Sequence, residues 1–325
     1  MRTLMTIAIL SALAPTAAWA QEACGQLQIL NTVQMTREGN MDFVPVRING
    51  AAKSFLFDTG GSLTLLKQST ADDLKLPVQQ GDIEMYDMTG KVARGQATVH
   101  EYIVGVMRGT DVAMQVVPRT PADGIMGLAG WIALDLDVDF GTDKLNMFSP
   151  SHCAGRVQYW TAPALAVVPI SMDGLHMTIP VMLDGKLEQA EIDTGAQTST
   201  LTIAEAKRVF DLTMGSADAP EHSMLNGDPS LKTYTHNFKT LSFGNGDVMV
   251  KNPQVEIIPD VVGREAGTRQ LVGNRTRTER DRFNAPDMLI GMDVLRKLHL
   301  YMAFKENKLY ITDASAPVAA ATPAQ

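Results

Sequence analysis

Cysteine is scarce in this chain of 325 residues, occurring only twice, and aromatic residues make up only 6% of it. With 19 methionines against three tryptophans, the cores must be packed mainly from aliphatic and thioether side chains. The six histidines, His100, His152, His176, His222, His236 and His299, do not cluster at metal-ligand spacing. Most of them read as surface or strand positions without an assigned role. There is no glycine-rich phosphate loop and no Gly-x-Ser-x-Gly elbow. No metal or cofactor is implied. A formal net charge of −8 argues against nucleic acid as a partner. Beyond the N-terminal segment, no run is long and apolar enough for stable membrane insertion.

The N-terminal segment reads as a targeting signal covering residues 1–20. Arg2 supplies the positive start, Leu4 to Leu13 the apolar stretch, and Ala18-Trp19-Ala20 a small-x-small cleavage site. Gln21 is the expected mature N-terminus, and the expected location is the periplasm, or secretion. In an oxidising compartment Cys24 and Cys153 are expected to form a structural disulfide. The alternative, a catalytic or metal-binding thiol, has only His152 beside it.

What the chain does have is a repeat. Phe57-Asp58-Thr59-Gly60 returns as Ile192-Asp193-Thr194-Gly195, 135 residues later. The flanks repeat in register. Val44-Pro45-Val46-Arg47-Ile48-Asn49-Gly50 precedes Asp58 by the same spacing at which Ile179-Pro180-Val181-Met182-Leu183-Asp184-Gly185 precedes Asp193. Each reads as an apolar strand, a tight turn at Asn-Gly or Asp-Gly, and a returning strand that ends at the aspartate. Further on, Asp123-Gly124-Ile125-Met126-Gly127 matches Asp287-Met288-Leu289-Ile290-Gly291, now 164 residues apart. From there Leu136 matches Leu300, Phe140 matches Phe304, and Lys144-Leu145 matches Lys308-Leu309. The second unit therefore carries 29 extra residues. A period this long indicates a duplicated domain.

Elsewhere, short apolar runs divided by Gly, Pro, Asn-Gly and Asp-Gly predict an all-β chain. Two short helices are expected. Thr202 to Phe210 is opened by a Thr202/Glu205 capping box, and a second helix follows Gly291, with Val294, Leu295 and Leu298 on one face. The expected organisation is a first lobe over 21–155, a linker over 156–168, a second lobe over 169–313 and a disordered tail over 314–325.

Strand-Asp-Thr-Gly, a hairpin, then two apolar residues and Gly before a short helix resembles the retropepsin-like aspartic proteases. Leu289-Ile290-Gly291-Met292-Asp293-Val294-Leu295 and Phe304-Lys305-Glu306-Asn307-Lys308-Leu309-Tyr310 carry the likeness in the second unit. The resemblance spans about residues 42–149 and 177–312. It implies two pseudo-symmetric β-barrel lobes in one chain, with a cleft between them. It also implies an aspartic endopeptidase in which Asp58 and Asp193 activate a water against a peptide or protein substrate. Thr59 and Thr194 would cross-brace the loops by hydroxyl-to-backbone bonds, with Gly60 and Gly195 leaving room for close approach. Flap hairpins are expected near Tyr86, Met88, Thr89 and Gly90, and near Leu225, Asn226 and Gly227.

Two departures from that family stand out. Gly61 and Ala196 follow the motifs, where pepsin-like enzymes tend to carry a hydroxyl residue; fewer donors should raise the pair's proton affinity and move activity toward neutral pH. Ser62 and Gln197 stand where retroviral enzymes have an aspartate that grips substrate backbone. The second unit's insertion, rich in arginine over 263–282, reads first as a solvated loop; docking of an acidic partner, or an excisable cover for the cleft, are the functional readings. The competing reading of the whole chain is a non-catalytic peptide- or partner-binding module that kept this fold, and a third is a latent enzyme that needs processing.

Overall fold

The repeated turns set the architecture. Asn49 and Gly50 have φ of +49° and +82°, and Asp184 and Gly185 have +46° and +76°, the left-handed values of a two-residue hairpin. Met41–Ile48 folds back on Ala51–Phe57, and His176–Leu183 on Lys186–Ile192. In the first unit Val44, Val46 and Ile48 point inward, and in the second Met177, Ile179, Val181 and Leu183 do so. This is the two-residue alternation of a half-buried strand. A proline sits mid-strand in each, and the pairing explains why it is tolerated. Met41–Phe43 pairs with Thr36–Glu38 and Val46–Ile48 pairs with Tyr102–Val104, leaving Pro45 between partners. Pro180 lies in the same gap, between the pairings of His176–Thr178 and Met182–Leu183. No ladder donor is needed there.

The structure, a computed structural model, describes residues 24–86, 92–260, 268–272, 275–276 and 286–314. The fold is all-β, and the described residues form two ten-stranded sheets and one six-stranded sheet. The landmark at Asp123 explains itself as a third strand: Gly124–Met126 runs parallel to Phe55–Phe57, as Met288–Ile290 does to Ala190–Ile192. Matching backbone bonds recur, such as Lys67 N–H to Asp123 O at 3.0 Å and Thr202 N–H to Asp287 O at 2.9 Å.

The six-stranded sheet joins the units. Its order is Ile29–Gln34, Lys144–Phe148, Asp135–Asp139, Leu298–Ala303, Lys308–Asp313 and Ala166–Pro169, three strands from each half. At the centre Leu136 faces Met302 and Val138 faces Leu300. Since Leu136 and Leu300 are equivalent in sequence, the pairing is isologous, as in a two-fold dimer interface.

Several expectations need adjusting. Residues 156–168 are not a free tether. Val157 is buried, the Trp160 ring stacks on His299 at 4.2 Å, and Ala166–Pro169 is a sheet strand. His152 and His299 have buried side chains that contact carboxylates, and are not idle positions. The His152 ring lies 2.6 Å from Asp135 Oδ2 and the His299 ring 2.7 Å from Asp137 Oδ1, both carboxylates being on the strand Asp135–Asp139 of the six-stranded sheet. The helix Ile203–Phe210 is capped by Thr202, whose hydroxyl accepts from Glu205 N–H at 3.3 Å. The reciprocal half of the capping box is absent, because Thr202 N–H already bonds Asp287 O and Glu205 pairs with Arg208. The helix after Gly291 covers only Met292–Leu295, and Leu298 opens the next strand. A six-residue helix at Gln68–Asp73 was not expected from the sequence. Cys24 and Cys153 form a disulfide with Cα atoms 4.8 Å apart.

Residues 1–23 and 315–325, which hold the expected signal and most of the expected tail, lie outside the described residues, as does most of the arginine-rich segment. Within that segment the backbone of Thr268–Val272 forms a strand that pairs with Ile83–Met85 of the first unit.

Candidate active site

Both Asp-Thr-Gly loops leave a buried strand at its end. Asp58 N–H donates to Met126 O at 3.2 Å and Asp193 N–H to Ile290 O at 3.1 Å, so each aspartate is fixed by the parallel strand beside it. The loops meet through their threonines. Thr59 Oγ1 donates to Ile192 O at 2.7 Å and accepts from Thr194 N–H at 3.1 Å. Thr194 Oγ1 donates to Phe57 O at 2.8 Å and accepts from Thr59 N–H at 3.0 Å. Both threonines are buried, so all four bonds are shielded from water. Each hydroxyl uses its donor and an acceptor lone pair, an arrangement that neither alanine nor valine could supply.

This brace sets each carboxyl group against the glycine of the other motif, while both aspartates keep part of their surface open to solvent. A β-carbon on Gly60 would lie 2.5 Å from Asp193 Cγ, and one on Gly195 would lie 2.5 Å from Asp58 Cγ. The glycine of each motif is therefore the space in which the other motif's carboxylate sits. Gly61 N–H donates to Asp58 Oδ1 at 2.7 Å and Gly195 N–H to Asp193 Oδ1 at 2.8 Å.

Burial pushes the Asp58 carboxyl well above the ordinary aspartate range, and the charge of Asp193 beside it adds to the rise. Burial also raises Asp193, opposed by hydrogen bonds from Asp58 and from the amides of Gly195, Ala196 and Gly60. Two neighbouring buried carboxylates cannot both ionise cheaply, so the pair favours holding one proton in common and titrates as a unit. Chemically, such a pair offers one acceptor and one acid group to a single small molecule between them.

The other predicted site residues are placed as follows. Tyr86 ends the strand Gln79–Tyr86, which pairs with Val92–Val104. Met88, Thr89 and Gly90 lie outside the described residues. Leu225–Gly227 forms a single 3₁₀ turn between Glu221–Met224 and Lys232–Asn237, with Gly227 at φ +73°. Gln197 contributes its backbone: its carbonyl accepts from Asn40 Nδ2 of the first unit at 2.8 Å.

Sequence reasoning missed a chain of polar groups beside the dyad. His176 Nε2 lies 3.2 Å from Ser62 Oγ, and its Nδ1 lies 2.7 Å from Glu191 Oε1. Ser62 belongs to the first unit and the other two to the second. No motif announces this contact, because its members are far apart in sequence.

Residues 44–129 match the family model described as aspartyl protease. The matched stretch includes Asp58-Thr59-Gly60 and the Asp123 landmark, and stops short of the second unit. Comparison with curated proteins returned no match.

Proposed function

We propose, from the match of residues 44–129 to the aspartyl protease family model, that the chain is an aspartic endopeptidase whose catalytic pair is Asp58 and Asp193. The observation that carries this reading is the reciprocal fit of each carboxylate against the other motif's glycine, with both Asp-Thr-Gly sets cross-braced. A family domain of this kind supports peptidase activity in general; the second Asp-Thr-Gly supplies what one domain alone lacks. We read the two units as products of one duplication. The match of turn, third strand and central sheet pairing supports that origin.

The mechanism follows from the shared proton. The ionised carboxyl takes a proton from a water held between the two groups as its oxygen attacks the scissile carbonyl carbon. The protonated carboxyl donates to the carbonyl oxygen, giving a neutral tetrahedral diol. Its collapse breaks the C–N bond, with one proton passing to the leaving amine and another returning to the pair. The fixed amides of Gly61 and Gly195 hold the carboxyls in place throughout, so no reorganisation is needed at the moment of reaction. The substrate is an extended peptide across the loops, with the hairpins ending near Tyr86 and at Leu225–Gly227 as flaps. Export to an oxidising compartment accords with the disulfide.

The test is cleavage of a mixed peptide library by the wild-type chain, Asp58→Asn and Asp193→Asn. Wild-type cleavage that falls by at least about a thousandfold in both variants is the expected result. Cleavage that survives either substitution removes the mechanism.

A further inference from the structure

The turn between Thr36–Glu38 and Met41–Ile48 reaches across to the loop that carries Asp193. There Asn40 Nδ2 donates to Gln197 O at 2.8 Å. Arg296 Nε donates to Asn40 Oδ1 at 3.3 Å, and Arg296 Nη1 donates to Asp42 Oδ1 at 3.3 Å. A guanidinium can only donate and a carbonyl can only accept, so these two neighbours fix which way the Asn40 amide points. Arg296 directly follows the helix Met292–Leu295, and Met292 N–H bonds Ala196 O at 2.9 Å. Asp42, Arg296, Asn40 and Gln197 thus form a polar chain from the first unit to the second. It ends on the short segment whose Gly195 N–H holds Asp193 Oδ1 at 2.8 Å.

The repeat supplies an internal control. In the register of the duplicated segments Asn40 corresponds to Leu175, Asp42 to Met177 and Arg296 to Ile132. All three equivalents are apolar, so the fold accepts apolar residues at these positions. The charged version is also costly. The Asp42 side chain is 1% exposed and that of Arg296 17%. Asp42 Oδ2 and Arg296 Nη2 are buried without a hydrogen-bond partner among the described residues. Burial raises the Asp42 carboxyl, with the charge of Arg296 opposing the rise. A buried ion pair is often no more stabilising than packed apolar residues of similar volume. Stability therefore gives no reason for the charges at this one of two equivalent places, whereas the orientation of Asn40 does.

We propose that Asn40, oriented by Arg296 and Asp42, is a positioning residue that fixes the Asp193 loop through a charged clasp with no counterpart at the Asp58 loop. The proposal rests on the endopeptidase reading of the dyad. Loosening the clasp lets the Asp193 carboxyl stray from Asp58, so the effect falls on the chemical step and not on substrate affinity.

The experiment pairs turnover of the best-cleaved library peptide with amide hydrogen exchange followed by NMR. Asn40→Ala should lower kcat by about three- to tenfold, the worth of one hydrogen bond, with KM within about twofold of wild type. Exchange of the Gly195 amide should quicken by a similar factor while that of the Gly61 amide keeps its wild-type rate. Asp42→Met combined with Arg296→Ile, which installs the residues of the equivalent positions, should lower kcat as Asn40→Ala does without lowering the thermal midpoint. Wild-type kcat in Asn40→Ala, or exchange that quickens equally at both loops, overturns the proposal. A double variant that unfolds earlier yet keeps wild-type kcat makes the pair structural and overturns it as well. A wild-type chain that cleaves no peptide removes the endopeptidase reading instead, and the exchange comparison then decides by itself whether Asn40 holds the Asp193 loop.

Discussion

The carboxylate of Asp193 occupies the space where a side chain on Gly60 would begin: a β-carbon there would lie 2.5 Å from Asp193 Cγ and 2.7 Å from its Oδ1. Asp58 stands in the same relation to Gly195. Gly60→Ala should therefore push the two carboxyls apart and lower kcat by at least about a hundredfold, since displacements near 1 Å are felt on that scale. An alanine variant with wild-type kcat would show that the carboxyl separation is not critical.

The dyad's proton affinity can be tuned from outside. The amides of Gly61 and Gly195 reach the carboxyls, but Gly61 and Ala196 bring no hydroxyl. Activity is expected nearer neutral pH than in a gastric-type enzyme; a profile peaking below about pH 3.5, under the ordinary aspartate value of about 3.9, would contradict this. Ala196→Ser offers the charged form another donor. It should move the acid limb of kcat/KM down by about one pH unit. A limb that stays put would remove hydrogen-bond supply as the cause.

A second carboxyl pair lies away from the cleft. Glu188, on the strand leading to Asp193, meets Glu205 of the capped helix, and both are nearly fully buried. Burial, with the charge of Glu205, pushes Glu188 up to about 7. Because the folded value is raised above the unfolded one, the stabilising contribution is full below about pH 4.5 and is lost as pH rises through about 7. Glu188→Gln should accordingly be more stable than wild type at pH 8.5, by at most about 3 kcal/mol, and lose that advantage by pH 5. Urea midpoints at the two pH values decide it. An advantage independent of pH would mean the gain is not electrostatic.

The disulfide closes a separation of 129 residues and pins the chain just before the outer strand Ile29–Gln34 of the joining sheet. Replacing both cysteines by serine should cost about 4–5 kcal/mol in the chain-entropy account. The loss is measured by denaturant unfolding with and without reductant. A double variant as stable as wild type would show that the loop is already ordered in the unfolded chain.

The sequence by itself determined whatever is local or repeated. Asn49-Gly50 and Asp184-Gly185 need left-handed φ at both turn residues, so the hairpins and the register of the aspartates behind them were readable from residue type. The repeat at constant spacing made Asp58 and Asp193 equivalent before any coordinates. Only the tertiary structure decided what the two units do to each other. The Leu136–Met302 pairing, the packing of Trp160 on His299 and the meeting of Ser62, His176 and Glu191 join positions more than 100 residues apart, or from opposite units. Side-chain periodicity reports which face of a strand is covered, not what covers it. The buried Asp137–His299 pair shows the same limit: a lone histidine acquires this partner only when a distant strand is laid beside it.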